Sequence, residues 1–367
     1  MKDVAFFLVY DDNLEYNIGI ESIAHTEIRK GVTSTMTFIE GIKEKAKSDR
    51  RRIILPEGMD RRIWEAASEI AKEGIADITV IATAAEQAAY SKGLDITGVN
   101  VIDPTTSPKL PYYTVKLAEL RRLKGMTKEE AKILLTTDYV YFACMMLRDN
   151  EADGVVSGAC HSTANTLRPA LQLVKAKPGV KLVSAFFIMV VPDCELGYNG
   201  TFLFGDCGLE QNPDSEHLAA IAVDSANSFK KLVGAEPVVA LLSHSTMGSA
   251  RHPDVDKVAN AVKLAKAQAP EILIDGEMQL DAAIVPEVGA IKAPESHVAG
   301  HANVLIFPDL DAGNIGYKLV HRLAKAEAYG PVTQGINKPV NDLSRGCSPS
   351  DIVGVVALTV VQSQLEI

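Results

Sequence analysis

A chain of 367 residues, 47% hydrophobic and 23% charged, is long enough for two domains with cores of their own and has an ordinary globular composition. A net charge of −10 and a pI near 5.4 disfavour non-specific nucleic-acid binding, which depends on Lys and Arg neutralising phosphates. No apolar run approaches the roughly 20 residues of a membrane helix. The acidic start (Asp3, Asp11, Asp12, Glu15) does not read as a signal peptide. Five scattered cysteines (Cys144, Cys160, Cys194, Cys207 and Cys347) without a CxxC pair fit reduced thiols of a cytoplasmic protein rather than a disulfide framework or zinc site.

Residues 1–35 mix acidic and apolar residues without a clean period and end in a linker-like Gly-Val-Thr-Ser-Thr. A short helix over Phe38 to Ser48 is expected next. Arg52–Leu55 then reads as a buried strand, Pro56-Glu57-Gly58 as a turn, and Asp60–Glu73 as a helix through Ile63, Ala66, Ala67, Ile70 and Ala71. Ile78–Ile81 and Ala84–Lys92 repeat the strand–helix alternation, which predicts βαβ units and a mostly parallel sheet. Ligands of such sheets sit beyond the carboxyl ends of the strands, where Glu57 and Gly58 fall. Leu110 to Leu135 reads as a charged helix pair, with a capping box formed by Thr127 and Glu130. Asp138 to Leu147 is a Met- and Tyr-rich helix.

The strand Gly154–Val156 leads into Ser157-Gly-Ala-Cys-His-Ser-Thr-Ala-Asn-Thr-Leu-Arg168. Hydroxyls at a helix N-terminus, with Ser162 and Thr163 foremost, make either a phosphate cradle or plain helix caps. Lys181–Val191 predicts a central strand of a second domain, with Cys194 past its end. Further strands are expected at Leu203–Asp206, Val238–Leu242, Ile272–Ile274 and Asn303–Phe307, and helices at Ser215–Leu232 and Ile315–Ala328. The turn Ser243–Ser249 is a second candidate anion edge, and the carboxylates of Asp275-Gly-Glu-Met-Gln-Leu-Asp281 leave a metal reading open.

Gly330-Pro-Val-Thr-Gln-Gly-Ile-Asn-Lys-Pro-Val-Asn-Asp-Leu-Ser-Arg-Gly-Cys-Ser-Pro-Ser-Asp351 organises the rest. It is too polar for a core strand and reads as a stiff loop, with Pro331 and Pro339, entering a helix over Asp351–Ser363. Lys338, Asn341, Asp342, Ser344, Arg345 and Asp351 gather cations, donors and a candidate base there. From residues alone, Asp351 reads first as an ordinary carboxylate at a helix N-terminus, favoured by the dipole.

This stretch resembles the signature of phosphate acetyltransferases (phosphotransacetylases). Three further blocks agree: Arg52–Arg61, Val156–Pro169, and Leu305-Ile-Phe-Pro-Asp-Leu-Asp-Ala-Gly-Asn-Ile-Gly-Tyr317. The resemblance runs from about Met36 to the C-terminus and leaves residues 1–35 as an extension outside it. It implies two three-layer α/β/α domains with a cleft between them, like isocitrate and isopropylmalate dehydrogenases: residues 36–180 plus 332–367, and residues 181–331. The implied reaction is acetyl-CoA plus phosphate giving acetyl phosphate plus CoA, in a homodimer, without a tightly bound cofactor and without a metal. By resemblance, Asp351 accepts the thiol proton, Arg345 binds phosphate, and Ser344 donates to the oxyanion. Arg168 and Arg121 hold substrate phosphates, with Arg122 the neighbouring candidate, and Cys194 lines the site. Cys347, between Arg345 and Asp351, remains an alternative nucleophile.

Rival readings are a butyryl or propanoyl transferase, a non-catalytic acetyl-CoA-binding regulatory domain, and a dehydrogenase of related fold, which the missing GxGxxG disfavours.

Overall fold

The first strand, Arg52–Leu55, shows how the sequence builds the layers. Ile53 and Leu55 point to one face of the sheet, into a core with Ile63, Trp64, Ile352, Val353 and Val356. Ile54 points to the other, against Tyr113, Phe142 and Val155. A strand buried on both faces needs apolar residues throughout, which is why Arg-Ile-Ile-Leu carries no polar alternation. The computed structural model describes residues 37–365, so the expected extension over residues 1–35 lies outside them.

Eleven strands are present among the described residues: β1 Arg52–Leu55, β2 Asp77–Ile81, β3 Asn100–Ile102, β4 Gly154–Ser157, β5 Ser184–Val190 and β6 Thr201–Gly205 come first. They are followed by β7 Val238–Leu242, β8 Leu273–Met278, β9 Val304–Ile306, β10 Glu327–Gln334 and β11 Val340–Asp342. One sheet has the order β11-β4-β1-β2-β3 and is wholly parallel. The second has the order β10-β5-β6-β9-β7-β8, with β5 antiparallel to both neighbours and the other pairs parallel. In the second sheet Phe186 and Ile188 of β5 face the long helix Ser215–Val233 in the same core as Ile53, whereas Phe187 and Met189 face Phe204, Phe307 and Tyr317. The helix Pro349–Gln364 is buried along almost its whole length and joins the two sheets through that shared core.

The chain leaves the first sheet after Val174 and returns to it at Val340. The two crossing segments are tied to each other: Lys177 N donates to Gly335 O (2.8 Å) and Asn337 N to Lys175 O (3.0 Å). The expected boundary at 331/332 falls inside β10, which pairs with β5 as far as Gln334.

Three expectations are corrected here. The stretch after Gly330 is not one long loop, because β10 and β11 are core strands in spite of their polarity. Thr333, Gln334 and Asn341 are buried with their side chains hydrogen-bonded, whereas Glu327 is exposed and Asp342 Oδ1 is buried without a partner among the described residues. Asn341 Oδ1 accepts from Thr333 N (2.8 Å), and its Nδ2 donates to Thr359 Oγ1 (2.8 Å) and Gln362 Oε1 (3.0 Å). Second, the helix expected over Ile315–Ala328 spans Leu310–Leu323, set by the Asp309 cap on Ala312 N and ended before Lys325, whose φ is +54°. Third, the last helix starts at Pro349, because Ser348 caps it and Asp351 closes the capping box.

Asn341→Ala strands the Thr333 amide and the Gln362 side chain in the core. It should cost about 2–5 kcal/mol in urea unfolding. A variant as stable as wild type would contradict this structural role.

Candidate active site

The parallel strands of the first sheet end at Leu55, Ser157 and Asp342, and the residues just beyond them form one rim. Glu57 is fully buried there. Its Oε2 accepts from Gly158 N and Ala159 N (both 2.9 Å), and its Oε1 accepts from Cys160 N (2.8 Å), His161 N (3.0 Å) and the His161 ring at Nδ1 (2.7 Å). Burial opposes the Glu57 charge, yet the His161 and backbone hydrogen bonds outweigh it and keep the carboxyl below its ordinary range. The same pairing raises His161 above its ordinary value.

Arg62 fastens this loop to the next. Its Nη2 donates to Ala159 O, and its Nη1 to Arg345 O and Cys347 O, all at 2.9 Å, while Asp60 binds the same guanidinium. Gly158 approaches Asp342 so closely that a Cβ would lie 2.2 Å from Oδ1 and 2.5 Å from Leu343 N, at a φ of +118°. Only glycine fits.

The helix Thr163–Pro169 begins on this rim, with Ser162 as its cap accepting from Asn165 N (3.3 Å). So the capping reading of Ser162 holds, and its hydroxyl also faces the cleft. Pro169 cannot continue the regular ladder, and the chain passes into a π-helix at Ala170–Val174. Thr163 Oγ1 donates to Asp342 Oδ2 (2.5 Å). Burial pushes the Asp342 carboxyl up to about 6, against the Thr163 and Thr166 hydroxyls.

Two adjoining cavities open on this rim. One, about 510 Å³, is lined by His161, Ser162, Thr163, Asp342, Ser344 and Arg345 from the first sheet, and by Cys207, Gly208, Asn314 and Lys318 from the second. The other, about 130 Å³, holds Asp351, Ser344, Cys347, Lys318, His321 and Arg322. Phe187, Tyr317, Lys318, Leu343 and Ser344 line both. Asp351 Oδ2 accepts from Ser348 N (2.8 Å) as a capping carboxylate, and the residue also borders the smaller cavity. Burial and Arg322 hold His321 below its ordinary value. Burial pushes the Cys347 thiol up to about 11, which leaves little of it as thiolate near neutral pH.

Ser162, Thr163, Ser344, Arg345 and Asp351 thus come together. Arg168 and Arg121 line neither cavity; their positive charges both act on the Tyr141 hydroxyl. Arg121 borders a separate surface cavity of about 460 Å³ with Lys124 and Glu130. Three expected residues are elsewhere. Asn341 alternates away from Asp342 along β11, into the core. Lys338 precedes the strand, at the opposite end of the sheet, and donates to Leu147 O (3.0 Å) and Asn150 Oδ1 (2.6 Å). Cys194 follows β5, which is antiparallel, and therefore lies at the edge opposite Cys207, the cysteine that does line the cleft. Asp275, Glu277 and Asp281 do not converge: they bind Lys266, Ser245 and Lys292 respectively.

Fold and cleft together define an α/β protein with a polar cleft between its two sheets. A sequence model of the phosphate acetyl/butaryl transferase family matches residues 37–360, and the chain belongs to that family. It is 57% identical over 329 residues to the phosphate acetyltransferase of Acetivibrio thermocellus, covering 90% of this chain and 99% of the relative. A phosphotransacetylase structure from Streptococcus pyogenes superposes with a TM-score of 0.81 at 40% identity, covering 89% of this chain and 98% of that one. A second, from Staphylococcus aureus, gives 0.78 at 43% identity, with the same coverage.

Sequence reasoning named Glu57 only by its edge position and missed Arg62, Asp342's buried role, Phe187 and Lys318. Tyr317 and Asn314 lay inside a recognised block, which was the available signal.

Asp342 titrates above an unfolded aspartate, near 3.9, so folding favours its protonated form. Its ionisation therefore removes stability as pH rises from about 4 to about 6. Unfolding free energies of wild type minus Asp342→Asn should fall by roughly 3 kcal/mol across that window and level off above it. Parallel pH curves would refute the assignment.

Proposed function

We propose that the chain is an acyltransferase moving acetyl reversibly between acetyl-CoA and inorganic phosphate, by direct thiolate attack in a ternary complex. The observation that carries this reading is Ser344, which borders both cavities: Asp351 lies in the smaller one, and Arg345 with the hydroxyls of Ser162 and Thr163 in the larger. The thiol of coenzyme A enters beside Asp351, and phosphate or the phosphoryl end of acetyl phosphate beside Arg345. The carbonyl carbon then lies at Ser344.

In the direction of thioester formation, Asp351 accepts the thiol proton, and sulfur attacks the acetyl carbon. The carbonyl oxygen becomes an oxyanion beside the Ser344 hydroxyl. Its collapse breaks the carbon–oxygen bond and releases phosphate to Arg345. An ordinary carboxylate titrates about four to five units below a thiol. Lys318 and Arg322 in the same cavity supply the positive charge that brings the thiol down. Holding both substrates across one serine makes attack effectively intramolecular.

Arg168 and Arg121 serve the charged remainder of coenzyme A. Coenzyme A is a substrate here, and no tightly bound cofactor or metal enters the reading. A cytoplasmic homodimer is part of the proposal. It is supported by the exposed apolar row Ile315, Leu319 and Leu323 on one helix face. No helix among the described residues is long and apolar enough to cross a membrane.

The test is thioester formation from acetyl phosphate and coenzyme A, followed by ultraviolet absorbance. Arg345→Ala and Asp351→Ala should each lower kcat/KM by about 100-fold or more without unfolding. Near-wild-type variants would make the loop structural. A wild type faster with butyryl or propanoyl phosphate would change the acyl group, and one inactive with all three would favour a regulatory acetyl-CoA-binding domain.

A further inference from the structure

The smaller cavity is committed to the thiol and Asp351, and the larger to phosphate and Arg345, in the reaction just proposed, on which this inference rests. The acyl carbon must sit where the cavities meet, at Ser344. Apart from Ser344 and Lys318, the shared walls at that junction are apolar: Phe187 and Tyr317 from the second sheet's side, and Leu343 from the first. A methyl group bound to a carbonyl at Ser344 meets these three surfaces.

The two rings are not free to yield. Phe187 is 2% exposed and Tyr317 6%. They stack with centroids 4.1 Å apart and planes 17° from parallel. Behind Phe187, a Cβ on Gly330 would lie 2.9 Å from its ring and 2.8 Å from Phe186 O, so the ring occupies space that the backbone leaves open only at glycine. Gly208 passes on another side, where a Cβ would touch the same ring at 3.9 Å. Tyr317 belongs to the same buried cluster as Cys207 and Phe307. Leu343 is buried, and its backbone packs closely against Gly158. A longer acyl chain would have to displace close-packed rings, which is costly because interiors leave no slack for extra methylenes.

We propose that the stacked pair Phe187–Tyr317 is the acyl wall of this enzyme, the element that selects a two-carbon acyl group over three- and four-carbon ones. Phe187 sets the depth of the junction, and Tyr317 braces it. Both residues determine specificity and leave the proton transfer to Asp351.

The test measures kcat/KM for acetyl, propanoyl and butyryl phosphates with coenzyme A, in wild type, Phe187→Ala, Phe187→Leu and Phe204→Leu. Phe204 is buried in the same cluster but borders neither cavity, so it controls for general loosening. Wild type should lose about 10-fold or more per added methylene. Phe187→Ala should narrow the acetyl-to-butyryl ratio by at least about 10-fold, mainly by raising butyryl turnover, with a smaller change in Phe187→Leu and none in Phe204→Leu. If Phe187→Ala does not fold, the Phe187→Leu ratio decides. Folded Phe187 variants with the wild-type ratio, or a ratio moved equally by Phe204→Leu, overturn the wall while the transfer reaction stands. A wild type that prefers butyryl also overturns it. A wild type that forms no thioester from any of the three overturns the reaction and the wall with it.

Discussion

The site depends on one buried charge. Glu57 has no exposed surface, and an isolated carboxylate in such a place would neutralise itself. It stays ionised because four consecutive backbone amides, from Gly158 to His161, and one imidazole point at it. The bargain runs both ways. Those amides follow the strand β4 with no ladder partner of their own, and a single carboxylate satisfies all four. The loop that carries His161, Ser162 and Thr163 is thereby fixed relative to the neighbouring strand β1, and Arg62 extends the restraint to Arg345 and Cys347.

The second sheet repeats the device. Asp206, at the end of β6, is buried and accepts from the amides of Ala185 (2.9 Å), Gly208 (2.7 Å) and Leu209 (2.9 Å). Glu277 on β8 accepts from Gly248 N (2.8 Å) and the Ser245 hydroxyl (2.7 Å). At three strand ends, then, a carboxylate and not a ladder organises the following loop. Two of these loops, behind Glu57 and Asp206, face each other across the cleft, which is how residues from separate sheets keep a common geometry around Ser344.

Much of this was legible in the sequence, and the exceptions have a pattern. Apolar runs placed β1, β5, β7 and their helices, because a strand covered on both faces needs apolar residues throughout. The loop residues Ser344, Arg345 and Asp351 were legible through the family signature. Misreadings came where polarity was taken for exposure. Thr333, Gln334 and Asn341 looked like loop residues and are core residues with satisfied hydrogen bonds. Lys338 looked like a site cation and is a staple at the far edge of the sheet. Cys194 was placed correctly after its strand, but nothing local reports that β5 runs antiparallel and delivers it to the wrong edge. Phe187 is one aromatic among several in an apolar run, and only the tertiary approach of Tyr317 singles it out.

The most direct test of the Glu57 account is amide hydrogen exchange at Gly158, Ala159, Cys160 and His161, compared between wild type and Glu57→Gln. Four hydrogen bonds to one buried carboxylate predict that all four amides are protected in wild type. An amide side chain has one acceptor oxygen instead of two, so protection should fall by about 10-fold or more at two or more of them, while the strands stay protected. Fast exchange at these amides in wild type, or unchanged protection in Glu57→Gln, would show that the loop holds itself and that the carboxylate does not organise the site.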